Sequence, residues 1–334
     1  MRKFHLPDES GIFLVLVVVL VVLSILSPSF ASWANWLSLL LNGSVIAFLA
    51  LGQTFVLLTG GIDLSTGATV AVTGVLAAVL MADDVPWLVA AVLAVGAGLA
   101  LGVINGLLVH YVRVPPFIAT FSTQGIAVAI PLIITGANSI PVRQVNFSWI
   151  GQGRVGGVPL PVIMLVVAAV AATWFLTRTR LGVHIYAAGG NKPAARLAGV
   201  NISTVTILVY AVSGTCGGIA GIIATSRLMV GFPATGLGNE LFFSIAAAVV
   251  GGVSLFGGTG TVPGAMIGAV LIAAVSNGMN VLDVSSYWQS LVIGAIILLG
   301  VSFDTYRRGL SGKSVLSVLT RTSRAAPKKE TSAV

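Results

Sequence analysis

The run Leu37-Ser38-Leu39-Leu40-Leu41-Asn42-Gly43-Ser44-Val45-Ile46-Ala47-Phe48-Leu49-Ala50-Leu51-Gly52-Gln53-Thr54-Phe55-Val56-Leu57-Leu58, followed by Thr59-Gly60-Gly61-Ile62-Asp63-Leu64-Ser65-Thr66-Gly67, decides the fold class. Residues 37–62 carry no charge. A bilayer core needs about 20 predominantly apolar residues per helix, so 37–58 predicts a membrane-crossing helix. The adjacent Gly60 and Gly61 stop it. Asp63 is placed to cap the next helix, its carboxylate accepting amide protons from the first turn, with Ser65 and Thr66 nearby. A second reading stays open beside the cap: a broken helix that lines a substrate path, as interrupted helices do in transporters.

The rest of the chain repeats this texture. Of its 334 residues, 57% are hydrophobic and 8% charged, with a mean hydropathy of +1.05. A soluble domain carries about 25% charged residues, so a cytosolic enzyme is excluded. Forty glycines without a collagen period fit a polytopic helix bundle, since glycine is commoner in membrane helices than in soluble ones. The alternation of a transmembrane β-barrel is absent. The expected fold is thus an all-α polytopic membrane protein of about ten transmembrane helices. They fall near 11–27, 37–58, 65–82, 86–111, 116–136, 159–177, 203–225, 240–256, 262–281 and 286–303. The first resembles a signal peptide, but its long apolar run and the acids Asp8 and Glu9 argue for a retained helix.

Charge orients the bundle, because Lys and Arg of short loops stay on the cytoplasmic side. Arg178, Arg180, Lys192 and Arg196 crowd the loop at 178–202, and Arg307, Arg308, Lys313, Arg321, Arg324, Lys328 and Lys329 fill the tail. With both inside, helix parity puts Arg2 and Lys3 inside too, so amino and carboxyl termini are cytoplasmic and Asp83, Asp84 and Asp283 lie outside. Arg143 and Arg154, in the outer loop 137–158, run against this bias. Residues 1–303 are expected to form the transmembrane domain, with the cytoplasmic loop 178–202, and 304–334 a basic tail. The formal charge of +8 is concentrated in that tail and does not indicate nucleic acid.

Several chemistries are missing. Gly309-Leu310-Ser311-Gly312-Lys313-Ser314 lacks the glycine spacing of a phosphate loop. His5, His110 and His184 lie far apart, and no His-Glu or Cys-Cys spacing suggests a metal. Cys216 is single and cannot form an intramolecular disulfide. Nothing forms a catalytic constellation, so no enzyme activity, cofactor or metal is expected on this chain. Ionisable residues within the spans are equally scarce, Asp63 being the one acid at a span edge that a proton-coupled carrier would use.

The cytoplasmic loop is the second informative segment. Through Gly189-Gly190-Asn191-Lys192-Pro193-Ala194-Ala195-Arg196-Leu197-Ala198-Gly199, proline suits a first helical turn, the alanines favour helix, and Gly199 suits the residue past its end. The spacing predicts a helix of one to two turns, too short to persist without a partner surface.

Gly60-Gly61-Ile62-Asp63-Leu64-Ser65, together with Gly190-Asn191, Ala194-Ala195-Arg196-Leu197 and Gly199, resembles the permease subunit of ribose-type ABC sugar importers, the group of ribose, xylose, arabinose and galactose permeases. Ile104-Asn105-Gly106-Leu107-Leu108, Pro116-Phe117-Ile118-Ala119-Thr120, Gly251-Gly252 and Gly257-Gly258-Thr259-Gly260 extend the likeness along nearly the whole chain. Lys192-Pro193 stands where family members often carry an acid before the Ala-Ala pair.

The resemblance implies a bacterial inner-membrane, multi-pass permease working as a homodimer or close heterodimer. ATP and Mg are held by separate ATP-binding subunits, and sugar is delivered by a periplasmic or lipid-anchored binding protein. It implies that Gly189, Gly190, Asn191, Pro193, Ala194, Ala195, Arg196, Leu197 and Gly199 form the helix seated on the ATPase, which drives alternating access.

A neutral sugar needs hydrogen-bonding groups rather than counter-charges along its route. Asn42, Gln53, Asn105, Thr120, Ser122, Gln124, Asn239, Asn277 and Gln289 are candidates, with Asp63 and Ser65 at the break; each amide or hydroxyl also suits a tie between two helices. Phe117, Phe121, Phe242 and Phe243 offer stacking faces. Gly96, Gly98, Gly102 and Gly106 fall at near-helical spacing, suited to close helix packing. Gly60-Gly61-Ile62-Asp63-Leu64 is echoed weakly by Gly251-Gly252-Val253-Ser254-Leu255. Cargo stays open between a monosaccharide and a nucleoside, amino acid or signal molecule. An ion-coupled carrier using Asp63 is the alternative of another class.

Overall fold

A computed structural model describes residues 9–311. It is a helical bundle: α1 (Ser10–Leu26), α2 (Trp33–Leu58), α3 (Thr66–Ala82), α4 (Trp87–Leu107), α5 (Pro116–Thr135), α6 (Ser148–Gln152), α7 (Leu160–Arg178), α8 (Arg180–Gly190), α9 (Lys192–Leu197), α10 (Ile202–Leu228), α11 (Glu240–Val250), α12 (Val262–Val281) and α13 (Ser286–Ser311). Six segments are long and apolar enough to cross a membrane, and four further apolar helices are shorter. The bilayer-sized runs foreseen from hydropathy each contain a helix. The basic tail lies mostly outside the described residues, as do Arg2, Lys3, His5 and Asp8.

α10 is the central post, packed against α2, α3 and α4. Glycine makes its contact with α4 close. Gly98 abuts the Gly214 carbonyl and Gly218, Gly102 abuts the Tyr210 carbonyl, and Gly106 abuts Ile207. Gly96, counted in the same stripe, has nothing near it and faces away. Leu, Val and Ile remain exposed along α1, α4, α5 and α7, the surface a lipid solvent accepts.

Short turns alternate the helices between two faces. Arg178, Arg180, Lys192 and Arg196 share one, called here the basic face, with the 59–65 and 251–261 turns. The opposite face carries the α3–α4 turn and the 137–158 connection. There Gln144 accepts from the Trp87 amide at 2.8 Å and donates to the Val85 carbonyl at 2.8 Å. The two-residue strand β1 (Ile140–Pro141) pairs antiparallel with another, which we number β4 (Val230–Gly231); β2 (Arg154–Val155) and β3 (Val158–Pro159) form a separate hairpin.

The span expected at 240–256 is corrected. α11 stops at Val250, because Gly252 takes φ +90° and the Val253 amide turns back to the Ala248 carbonyl at 2.9 Å. Eleven residues rise about 16 Å, half a bilayer core. The chain before α11 supplies the remaining depth without being helical. Gly231 lies against Ala78 near the far end of α3, whereas Gly236 lies against Gly67 at its start. That separation along α3 is about 16 Å at a helical rise of about 1.5 Å per residue, and the chain covers it through turns closed by the Thr235 amide on the Phe232 carbonyl and the Leu237 amide on the Ala234 carbonyl. Such backbone is tolerated at membrane depth only where protein buries it or a cavity takes it up.

Candidate functional site

Three constructions stand out, beginning on the basic face. α8 leads into α9, whose start is capped by Asn191: its Oδ1 accepts the Ala194 amide at 3.0 Å. Gly199 follows at φ +82°, and the Val200 amide returns to the Ala195 carbonyl at 3.0 Å, closing the helix where the sequence predicts. Ala195 is buried beneath it, while Lys192, Pro193, Ala194 and Arg196 are exposed and Leu197 is 91% exposed. Lys192, Pro193, Arg196 and Leu197 border an open concavity of about 410 Å³.

α8 is fastened to the bundle through backbone. Gly189 sits directly on the Leu58 carbonyl, which accepts the Gly258 amide at 2.9 Å, and Gly257 lies against both Gly60 and Gly189. The Tyr186 hydroxyl donates to the Gly260 carbonyl at 2.8 Å, and burial raises this phenol above its usual range. A side chain at Gly189 would occupy the carbonyl's space. Gly60, at φ +75°, closes α2 with the same backward turn as Gly252 makes after α11, and it lies against Phe256 and Gly257, just past the second glycine-rich echo.

Second is the Asp63 network. The Ser65 amide and hydroxyl donate to Asp63 Oδ1 at 3.0 and 2.6 Å, and the Ser213 hydroxyl of α10 donates to Oδ2 at 2.7 Å. Asn105 of α4 donates to Ser65 Oγ at 2.8 Å and accepts from Thr123 of α5 at 2.6 Å; Thr120 donates to the Ile62 carbonyl at 3.2 Å. Asp63 therefore takes the amide before α3 and two hydroxyls rather than amides of the first turn of α3. It ties four helices together, and Asp63, Ser65, Asn105 and Thr120 are all buried. Gln53 is buried too, with neither side-chain amide atom partnered. Ser122 is exposed on the outer side of α5 and Gln124 is half-buried there.

The third is a cavity of about 430 Å³ between α2, α10, α11, α12 and α13, within the range of small-molecule sites. Asn42, Asn239, Asn277 and Gln289, four of the residues expected along a polar route, line it. The remaining seven of that group do not. Residues not singled out from sequence join them: Arg227, Thr235, Glu240, Ser276 and Asn280. Arg227 Nη2 donates to Asn42 Oδ1 at 2.6 Å, Ser276 donates to Gln289 Oε1 at 3.2 Å, and Gln289 donates to Asn280 Oδ1 at 2.6 Å. Asn239 donates to Ser290 Oγ at 2.9 Å, and Asn277 exchanges amide hydrogen bonds with Asn35 at 2.9 and 3.0 Å. The interrupted element bordering a cavity is thus the non-helical run of turns before α11, not the 59–65 turn. The available signal was a lone arginine at the end of an apolar span and a lone glutamate opening the next.

Two comparisons identify relatives. The ribose import permease protein RbsC of Escherichia coli strain K12 is 40% identical over 275 residues, covering 81% of this chain and 85% of that protein. The D-allose transport system permease protein AlsC of the same strain is 39% identical, covering 79% and 81%, and the L-arabinose ABC transporter permease protein AraH of Azospirillum brasilense is 34% identical, covering 91% and 90%. No solved structure matches the chain. Residues 35–301 match the family model described as the permease component of the branched-chain amino acid transport system, and the chain belongs to that family of membrane permeases.

Proposed function

We propose that this chain is the membrane-spanning subunit of an ATP-driven, binding-protein-dependent importer of a monosaccharide. Support for the cargo comes from relatives that carry ribose, allose and arabinose in their names. The motor-driven part of the reading rests on one observation: the exposed helix α9 is joined, through Gly189, to the end of α2 and to the Gly257-Gly258 turn between α11 and α12. A push on α9 displaces two turns from which α3 and α12 rise toward the cavity. ATP-binding subunits dock on the basic face, which is then cytoplasmic, with both termini on that side in a bacterial inner membrane. A second permease copy completes the pathway, and a sugar-binding protein delivers cargo to the opposite face. The route includes Asn42, Asn239, Asn277 and Gln289.

An ion-coupled carrier gains no support from Asp63, whose carboxylate is enclosed and held by three donors away from the cavity. The test is the double variant Arg196→Glu/Leu197→Asp. ATP-binding subunits are expected to co-purify about tenfold less, the scale of losing an anchoring interface contact, while the permease elutes normally. Undiminished co-purification and uptake overturn the docking assignment. Sugar accumulation in vesicles holding this chain alone, without nucleotide hydrolysis, overturns the importer reading.

A further inference from the structure

Arg227 and Glu240 are a cation and an anion bordering the same cavity from two helices, α10 and α11. Among the described residues no ion pair joins them. The guanidinium donates to Asn42, and Glu240 Oε2 is enclosed without a hydrogen-bond partner among the described residues. The positions suit the helix dipoles, a cation in the last turn of α10 and an acid in the first turn of α11. Dipoles alone require neither a shared cavity nor an enclosed oxygen left bare. Enclosing a carboxylate oxygen without a donor is costly, and ionisable groups at membrane depth persist where they meet a ligand or each other. A hydroxyl group, which donates to a carboxylate and accepts from a guanidinium, suits both charges that border the cavity.

We propose that Arg227 and Glu240 are specificity-determining residues of a subsite for a neutral polyol, in which one sugar hydroxyl donates to the Glu240 carboxylate where it borders the cavity and a sugar oxygen accepts from Arg227. This rests on the monosaccharide reading above. The opposed charges leave the subsite with no net charge, so a neutral sugar gains charge-assisted hydrogen bonds, whereas an anion or a cation alone meets one repelling group. The neighbouring carboxamides then read the remaining hydroxyls, and because they already pair with one another they exchange partners at small net cost.

The experiment uses the full importer, with its ATP-binding subunits and binding protein, in proteoliposomes, and compares uptake of D-ribose with that of its 1-, 2- and 3-deoxy analogues. A site built to hydrogen-bond a hydroxyl rejects the analogue lacking it. The wild type is expected to discriminate against one analogue by about tenfold or more, the scale of a charge-assisted hydrogen bond. In Glu240→Gln and Glu240→Ala that ratio collapses toward one, and Arg227→Gln flattens the ratio at a different position. A purely structural role lowers all uptakes together and leaves the ratios intact, so unchanged ratios in these variants overturn the proposal even if rates fall. Wild-type vesicles that import neutral amino acids but no sugar overturn the monosaccharide reading itself. Normal wild-type sugar uptake with unaltered ratios overturns this inference alone.

Discussion

On the basic face four glycines, Gly60, Gly189, Gly257 and Gly258, let three segments meet backbone against backbone; in the other half five carboxamides, an arginine and a glutamate surround a cavity. Contact between main chains has one seating, since a displaced carbonyl finds no alternative donor. Side-chain amides have several, because each carries two donors and an acceptor. The first construction suits transmission of a rigid displacement, the second a passing ligand whose hydrogen bonds must form and break.

Substituting Gly189 tests the junction most severely. Gly189→Val places a branched side chain on the Leu58 carbonyl and beside the Gly258 amide, and should cost about 4 kcal/mol or more, read as loss of folded, detergent-extractable protein. Recovery of a monodisperse, heat-stable Gly189→Val protein would mean that the junction yields, and the contrast with the cavity would fail. Asp63→Ala should come next. It strips the acceptor from three donors in a buried site, for about 3 kcal/mol, whereas Asp63→Asn keeps an acceptor and should cost less. Equal thermal midpoints for the two variants would show that the network does not hold the turn.

On the cavity side effects should be milder. Asn277→Ala removes one half of the reciprocal pair with Asn35, and about 1 kcal/mol is expected, with Asn35→Ala adding little in the double variant. A drop as steep as that of Gly189→Val would erase the distinction between the two halves. Smallest is Gln53→Leu, which deletes two buried and unpartnered polar atoms and should leave stability unchanged or slightly raised. A marked fall in its thermal midpoint would show that Gln53 has a partner the folded monomer lacks.

How far these features were legible differs by element. The short helix α9 was readable to within a residue, because its proline, its alanines and its terminating Gly199 are local signals. The turn at Gly60-Gly61 was equally readable. The end of α11 was not: hydropathy stays high through Val250-Gly251-Gly252-Val253, so an apolar window runs past the glycines that close the helix. Residues of the polar group divided between cavity and buried tie for a reason no window contains, since facing depends on which neighbour each helix packs against. Arg227 and Glu240 were overlooked because each is unremarkable in its own segment.

Composition and local pattern alone determined that the chain fills a membrane with helices, where most of the long apolar ones lie, and that a small helix stands on the basic side, since each follows from hydrophobic length, charge or helix-end signals within a few residues. Only the tertiary structure decided that the 230–239 run descends along α3, that Gly189 seats on Leu58, and that a cation and an anion from separate helices border one cavity. These are relations between segments distant in sequence, set by which backbones glycine allows to touch.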